Sequence, residues 1–139
     1  REVEIFDNDI ADNMFAGIIM ASYLMLGPPG DANYNPLYGD IYVHDNTYSR
    51  NGVFNTNQTA LAGRIAYLIN AFGLQQPDIL IDNLTSGNVC IAESVTPTFV
   101  NLHAESLSIP EQIAHLDNTL DPFICEGTVL PPLEFETYE

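Results

Sequence analysis

The chain has 139 residues, enough for one domain with a substantial core, and 46% of them are hydrophobic, which excludes a disordered tail. It carries 19 acidic residues against three arginines and no lysine, a formal net charge of −16. Because binding to phosphates requires clustered Lys and Arg, this charge excludes nucleic acid as a partner, and no apolar stretch of the sequence is long enough to predict a transmembrane segment.

An alternating apolar pattern spans residues 3–13 and returns 38 positions later at residues 41–51. The residues of identical type are the pairs Asp7 and Asp45, Asn8 and Asn46, and Asn13 and Asn51. A repeated strand that ends in Asp-Asn is typical of a solenoid, in which successive coils stack on one another. Residues 1–26 therefore predict a first coil with a strand at 3–6, a short strand around Ile10 and an apolar strand over 17–26.

Residues 27–39 contain too much Pro, Gly and Asn for regular structure and predict a loop that leaves the coil. Without this loop, the 38-residue offset leaves about 25 residues per coil, within the ~20–50-residue range of solenoid repeats. Such loops often carry recognition. Exposed tyrosines suit stacking on sugar rings or contact with a protein, although some of them could instead cover the flank of the coils. The tyrosines in and after the loop are Tyr34, Tyr38, Tyr42 and Tyr48.

The second coil begins at residue 40, and an α-helix predicted near 57–72 interrupts it. Thr56 or Thr59 can cap this helix, and Gly73 suits the position just after its end. We expect its apolar face to lie against the coils or to seal an open end. The residues of that face are Leu61, Ile65, Leu68 and Phe72. Residues 78–81 then repeat 40–43 at the 38-residue offset and predict a third coil stacked on the second.

Two more strands are predicted at 88–92 and 98–102, so that the coils occupy residues 1–103 and an irregular C-terminal cap occupies 104–139. Cys90 and Cys125 belong to no CxxC motif and have no His at metal-ligand spacing, which argues against zinc and haem. We expect a disulfide between them, which would tie the cap to the coils and indicate an exported protein. Two buried free thiols are the alternative.

The repeated Asp-Asn turns predict two ladders of side chains. Stacked coils place equivalent residues about 4.8 Å apart, so Asn8 should lie over Asn46 and Asn13 over Asn51, with amide groups that satisfy one another and fix the register. The aspartates of these turns should face solvent or share a calcium ion, which binds oxygen ligands. These candidate calcium ligands are Asp7, Asp9, Asp12 and Asp45.

Residues 41–52 resemble the right-handed parallel β-helix repeat, and the wider chain resembles a bacterial family of exported parallel β-helix domain proteins. The other stretches that carry the resemblance are residues 33–36, 77–82, 89–91, 99–102 and 120–125. The resemblance implies an all-β, right-handed parallel β-helix that forms the C-terminal part of a longer solenoid. It also implies an exported protein, often encoded beside a second exported protein, and no established activity.

Few residues suggest catalysis. His44 beside Asp45 is a candidate general base, but in an alternating strand we expect it to point to solvent. His103 and His115 stand without an acid–base partner in the sequence. The Gly-His-Gly and Arg-Ile-Lys motifs of pectin-hydrolysing β-helix enzymes are absent.

The sequence therefore favours a non-catalytic exported scaffold or binding module with no cofactor other than calcium. It would present the 27–39 loop and an acidic face to a protein partner or a glycan. The alternative is a fragment of a carbohydrate-active enzyme, namely a polysaccharide lyase, epimerase or hydrolase. A third hypothesis is that further chains complete the open end of the solenoid.

Overall fold

The chain is a mostly β structure with one inserted helix, seen in a computed structural model that describes residues 2–26, 31–52, 61–104 and 116–126. The α-helix α1 spans Leu61–Ala71, and short 3-10 helices span Tyr23–Leu26 and Asp121–Phe123. The strands are β1 Glu2–Phe6, β2 Asp9–Ala11, β3 Ile18–Met20, β4 Asp40–His44, β5 Thr47–Ser49, β6 Ile79–Ile81, β7 Val89–Ala92 and β8 Phe99–Asn101. No helix in the described ranges has the length and apolarity needed to cross a membrane.

The strands form three sheets, and every neighbouring pair is parallel. The sheet orders are β1-β4-β7, β2-β5 and β3-β6-β8. Strands that follow one another along the chain lie in different sheets, so we call β1, β2 and β3 the first layer, β4, β5 and β6 the second, and β7 and β8 the third. Pairing at the 38-residue offset runs from Val3↔Ile41 to Ala11↔Ser49. The predicted stacking of these two segments is confirmed.

The predicted register of residues 78–81 is wrong. β6 pairs with β3 and β8, with Ile79 beside Ile18 and Phe99, so it is the last strand of the second layer. β7, and not β6 as predicted, lies beside β4. The error arose because the segment between β5 and β6 is longer than the one between β3 and β4, so that Ile79 falls 38 residues after Ile41 although it belongs to another sheet. The predicted strand over 17–26 is also shorter, because the chain turns into a 3-10 helix at Tyr23.

Alternation along the strands directs one set of apolar side chains into a common core between the sheets. Val43, Ile79, Ile81 and Ile91 are almost completely buried there. Burying an isoleucine contributes about 1.5–3 kcal/mol, so this set is the main source of the apolar stabilisation. The core cluster consists of Ile18, Met20, Ile41, Val43, Ile79, Ile81, Ile91, Phe99 and Leu120.

Helix α1 lies against the other face of the β3-β6-β8 sheet, where Ile69 packs with Leu80 and Val100. The predicted helix is confirmed over 61–71, and its first predicted turn, with Thr56 and Thr59, lies outside the described residues. Its buried face is rotated from the predicted one. Phe72 is 45% exposed, whereas Ala66 and Ile69 are fully buried.

The end of α1 is a Schellman motif, as the position of Gly73 predicted. Gly73 has a φ of 74° and donates its N–H to the carbonyl of Asn70 at 2.9 Å. Leu74 donates to the carbonyl of Ile69 at 3.0 Å. These two hydrogen bonds satisfy carbonyls that the helix leaves unpaired.

Residues 116–126 lie beside the third layer and are tied to it. Ile124 pairs with Ile91, and Asp117 pairs with Asn101. The predicted disulfide between Cys90 and Cys125 is confirmed, with their Cα atoms 5.5 Å apart. The rest of the predicted cap, residues 105–115 and 127–139, lies outside the described residues.

Candidate functional site

The structure brings the predicted asparagine pairs together. The Asn8 Nδ2 atom donates to the Oδ1 atom of Asn46 at 2.9 Å, and Asn13 makes the same hydrogen bond to Asn51 at 2.9 Å. Both ladders continue on acidic residues that the sequence pattern missed: Glu93 accepts hydrogen bonds from the backbone and side chain of Asn46, and Asp78 accepts one from Asn51 at 3.0 Å. The sequence pattern was a repeated asparagine, so it did not identify the carboxylates that accept the next hydrogen bond of each ladder.

The turn aspartates are exposed and engage separate partners. Asp7, Asp12 and Asp45 have positive φ angles, which places them at the tight turns between strands. Asp12 accepts a hydrogen bond from Arg50 Nη2 at 2.6 Å, and this contact lowers the pKa of the Asp12 carboxyl. Asp9 accepts one from Thr47 at 3.1 Å. Among the described residues, no group of three or more His, Cys, Asp or Glu side chains could hold a metal ion, and calcium binding stays a prediction.

His44 is buried, contrary to the expectation that it points to solvent. Only 7% of it is exposed, and its ring stacks against Tyr42 on one side and Phe6 on the other. The Nδ1 atom lies 2.7 Å from a carboxylate oxygen of Asp45, and Nε2 lies 2.9 Å from one of Glu4. The expectation failed because the parallel register brings Phe6 and Glu4 of β1 onto the imidazole, whereas Tyr42 and Asp45 are its neighbours along the chain.

The two carboxylates favour the charged form of His44. A neutral imidazole has one N–H donor, so only the imidazolium can donate to Asp45 and Glu4 together. The hydrogen bond to Asp45 raises the pKa of His44, burial opposes the rise, and the hydrogen bond to Glu4 adds to it. We call Glu4, His44 and Asp45 the histidine clamp, because it links the first layer to the second. His103 also has an acidic partner, Asp117, which the sequence did not predict, and His115 lies outside the described residues.

The four candidate tyrosines do not form one cluster. Tyr42 is buried against His44, so the expectation that its ring is exposed is wrong. Tyr48 packs on the core and donates its hydroxyl to Glu93 at 2.7 Å; burial and this carboxylate raise the pKa of Tyr48. Tyr34 and Tyr38 lie together on the segment 31–39 and line one cavity. Only this pair can contribute to a shared site.

The cavity beneath the segment 31–39, which we call the tyrosine cavity, has a volume of about 550 Å³. This is within the ~300–1,000 Å³ range of ligand pockets. One wall is the end of β3 with the turn that follows it, and the other is residues 34–39. Tyr34, 48% exposed, meets Tyr23 edge-to-face with ring centroids 5.6 Å apart. The site therefore combines an apolar cavity with accessible aromatic rings.

Backbone hydrogen bonds hold the segment 31–39 in place over the cavity. Tyr23 donates its N–H to the carbonyl of Pro36 at 2.9 Å, and Ser86 donates to that of Tyr38 at 2.8 Å. A smaller cavity of about 330 Å³, lined by Asn33, Asn35 and Ser86 among others, also borders Tyr34. Tyr34 therefore lines both an apolar cavity and a more polar one, as do Asn35, Leu37 and Gly39.

The apolar wall of the tyrosine cavity includes two buried polar side chains that the sequence reasoning missed. Asp82 is only 1% exposed. It accepts the N–H of Ser22 at 2.6 Å and that of Leu84 at 2.9 Å. The Ser22 Oγ atom is buried without a hydrogen-bond partner among the described residues. No local pattern marks either residue, because their burial depends on the packing of β3 against β6.

Comparisons of the chain with protein-family models, with curated proteins and with solved structures find no match. The proposal for its function is therefore based on the geometry of the site.

Proposed function

We propose that this chain is a non-catalytic, exported binding module of the right-handed parallel β-helix type. It binds a protein partner or a glycan at the tyrosine cavity. The observation that carries the proposal is Tyr34, which lines both an apolar and a more polar cavity and whose half-exposed ring contacts Tyr23. An aromatic face next to amide groups suits both the apolar face and the hydroxyls of a sugar, and tyrosines are enriched at protein contacts.

The three parallel sheets and the paired ladders support the β-helix assignment and the resemblance to exported β-helix proteins. The disulfide supports export, because such bonds persist in oxidising compartments.

A glycan array and a pull-down with exported proteins test this function, using Tyr34→Ala and the control Tyr67→Ala. Tyr67 is 67% exposed on helix α1 and does not line the cavity. We expect Tyr34→Ala to weaken binding about tenfold, a loss of about 1.4 kcal/mol, while Tyr67→Ala binds like the unmodified protein. Equal effects of both substitutions, or the absence of any ligand, would overturn the proposal.

We also propose that a further strand layer covers the first layer, supplied by a second exported protein or a further chain. Val3 and Phe6 are about half exposed, and within the described residues β1 pairs only with β4. An apolar edge with unpaired backbone groups is a template for another strand. Mass in solution tests this: an assembly that Val3→Asp dissociates supports it, and a monomer at all concentrations contradicts it.

The second candidate function is a carbohydrate-active enzyme fragment, and the histidine clamp favours it. Two carboxylates flank the imidazole, and the half-exposed ring of Phe6 beside them offers a surface on which a sugar can stack. Hydrolases of glycosides use such paired carboxylates. A screen on polyuronates and neutral polysaccharides decides between the functions: turnover that Glu4→Gln abolishes would establish the enzyme, and binding without turnover would support the module.

A further inference from the structure

We infer that the tyrosine cavity selects a ligand with a protonated amine on an apolar body. This inference rests on the proposed function, because it assigns the chemistry of the same site. One residue of the cavity wall is acidic. Asp82 is a carboxylate that borders an apolar space, and within the described residues it forms no salt bridge with an arginine.

The negative charge of Asp82 is only partly compensated. Its two oxygens accept two backbone N–H groups, and such neutral donors stabilise a carboxylate without cancelling its charge. A charge beneath an apolar wall acts through a low effective dielectric, so its attraction for a cation in the cavity is stronger than it would be in bulk water. The ligand therefore does not have to touch Asp82 to be selected by it.

The other groups at the cavity fit the same head group. Tyr23, Tyr34 and Tyr38 line it, and the faces of aromatic rings attract ammonium groups. The hydroxyl of Ser22 adds an oxygen whose hydrogen bonds are unmade within the described part of the chain. The apolar lining, which includes Ile19 and Leu80, then takes the hydrocarbon body of the ligand.

Three probes of one shape test the inference by calorimetric titration of the full chain: 2-phenylethylammonium, 2-phenylethanol and 3-phenylpropionate. They share the ring and the linker and differ in the charge of the head group. We expect the cation to bind at least about tenfold more tightly than the alcohol, as expected for about 1.4 kcal/mol of electrostatic selection, and the anion to bind least. Equal affinities for the three probes, or tighter binding of the alcohol, would overturn the inference.

Variants separate the cavity from the general negative charge of the protein. Tyr34→Ala should weaken binding of the cation about tenfold and Tyr67→Ala should leave it unchanged, whereas non-specific attraction would be unaffected by both and would contradict the inference. Asp82→Asn should reduce the preference for the cation over the alcohol, provided that its circular dichroism matches the unmodified protein. If that variant does not fold, the ranking of the three probes on the unmodified protein decides the matter.

The proposed function and this inference can fail separately. A glycan or protein whose binding depends on Tyr34, together with equal affinities for the three probes, would leave the proposed function standing and remove the cation selectivity. Failure of every ligand to respond to Tyr34→Ala would remove both.

Discussion

At the scale of single residues, the structure depends on side chains that join one layer to the next. Asn46 is the clearest case, because it is buried and bonds to both neighbouring layers. In the first layer it donates to the carbonyl of Ile5 and accepts from Asn8, and towards the third layer it donates to Glu93, each at 2.9 Å. Each buried polar group that loses its partner costs about 1–3 kcal/mol.

We therefore predict that Asn46→Ala lowers the free energy of unfolding by about 3 kcal/mol, because it removes the donor to the carbonyls of Ile5 and His44 and to the carboxylate of Glu93. The control is Asn8→Ala. Asn8 is exposed, so water can replace its contacts, and the expected cost is about 1 kcal/mol. Urea unfolding followed by circular dichroism measures both. Equal costs for the two variants would show that Asn46 has no special role in joining the layers.

The histidine clamp gives a pH dependence of known sign. The pKa of His44 is raised in the folded state, so its stabilising effect is fully present below the unfolded value of about 6.5 and is lost as the pH rises through the folded pKa. We predict that the stability difference between the unmodified protein and His44→Gln is larger at pH 5.5 than at pH 9. Urea unfolding at the two pH values measures it, and a constant or reversed difference would contradict the clamp. Using the difference removes the effect of the other carboxylates.

At the scale of the elements, the turns control how the inserted segments return to the sheets. Gly52 has a φ of 76°, and a Cβ atom there would lie 2.2 Å from the Cβ of Gln76. Gly73 has a similar φ of 74°, but a Cβ atom there would meet nothing within 4 Å. Substituting alanine for Gly73 therefore tests backbone strain alone, whereas the same substitution at Gly52 adds a steric clash.

We predict that Gly73→Ala costs about 1 kcal/mol, the price of a left-handed backbone conformation for a residue with a Cβ atom. Gly52→Ala should cost about 2–4 kcal/mol, because overpacking against Gln76 adds to the same strain. Thermal and urea unfolding of the two variants measure the difference. A cost for Gly52→Ala no greater than that for Gly73→Ala would contradict the close contact between the ends of the α1 insertion.

Elements with strong local signals could be predicted from the sequence, and those that depend on insertions could not. Alternation predicts the pairing of β1 with β4. Helical spacing predicts α1 over residues 61–71, and turn chemistry predicts that Gly73 follows its end. The partner of β6 could not be predicted, because whether β6 pairs with β3 or β4 depends on where the chain returns to the sheets after the α1 insertion. For the same reason the burial of His44 and Asp82, and hence most of the candidate site, could not be read from neighbouring residues.

At the scale of the whole molecule, the net charge of −16 opposes the compact state. Salt should relieve this repulsion, since the Debye length falls from about 30 Å at 0.01 M to about 10 Å at 0.1 M. We predict that NaCl raises the melting temperature over this range. CaCl2 at matched ionic strength tests calcium binding: a further rise, with heat in a calorimetric titration, would support a bound ion, and identical curves would remove the calcium hypothesis.

The central claim is the vertical register that places residues 38 positions apart on top of one another, because it forms both asparagine ladders and brings Glu4 to His44. The most direct measurement is a nuclear Overhauser spectrum of the isotope-labelled chain. The account predicts cross-peaks between the side-chain amides of Asn8 and Asn46 and between those of Asn13 and Asn51. Assigned amides with no such cross-peaks, or with cross-peaks to residues at another offset, would contradict it.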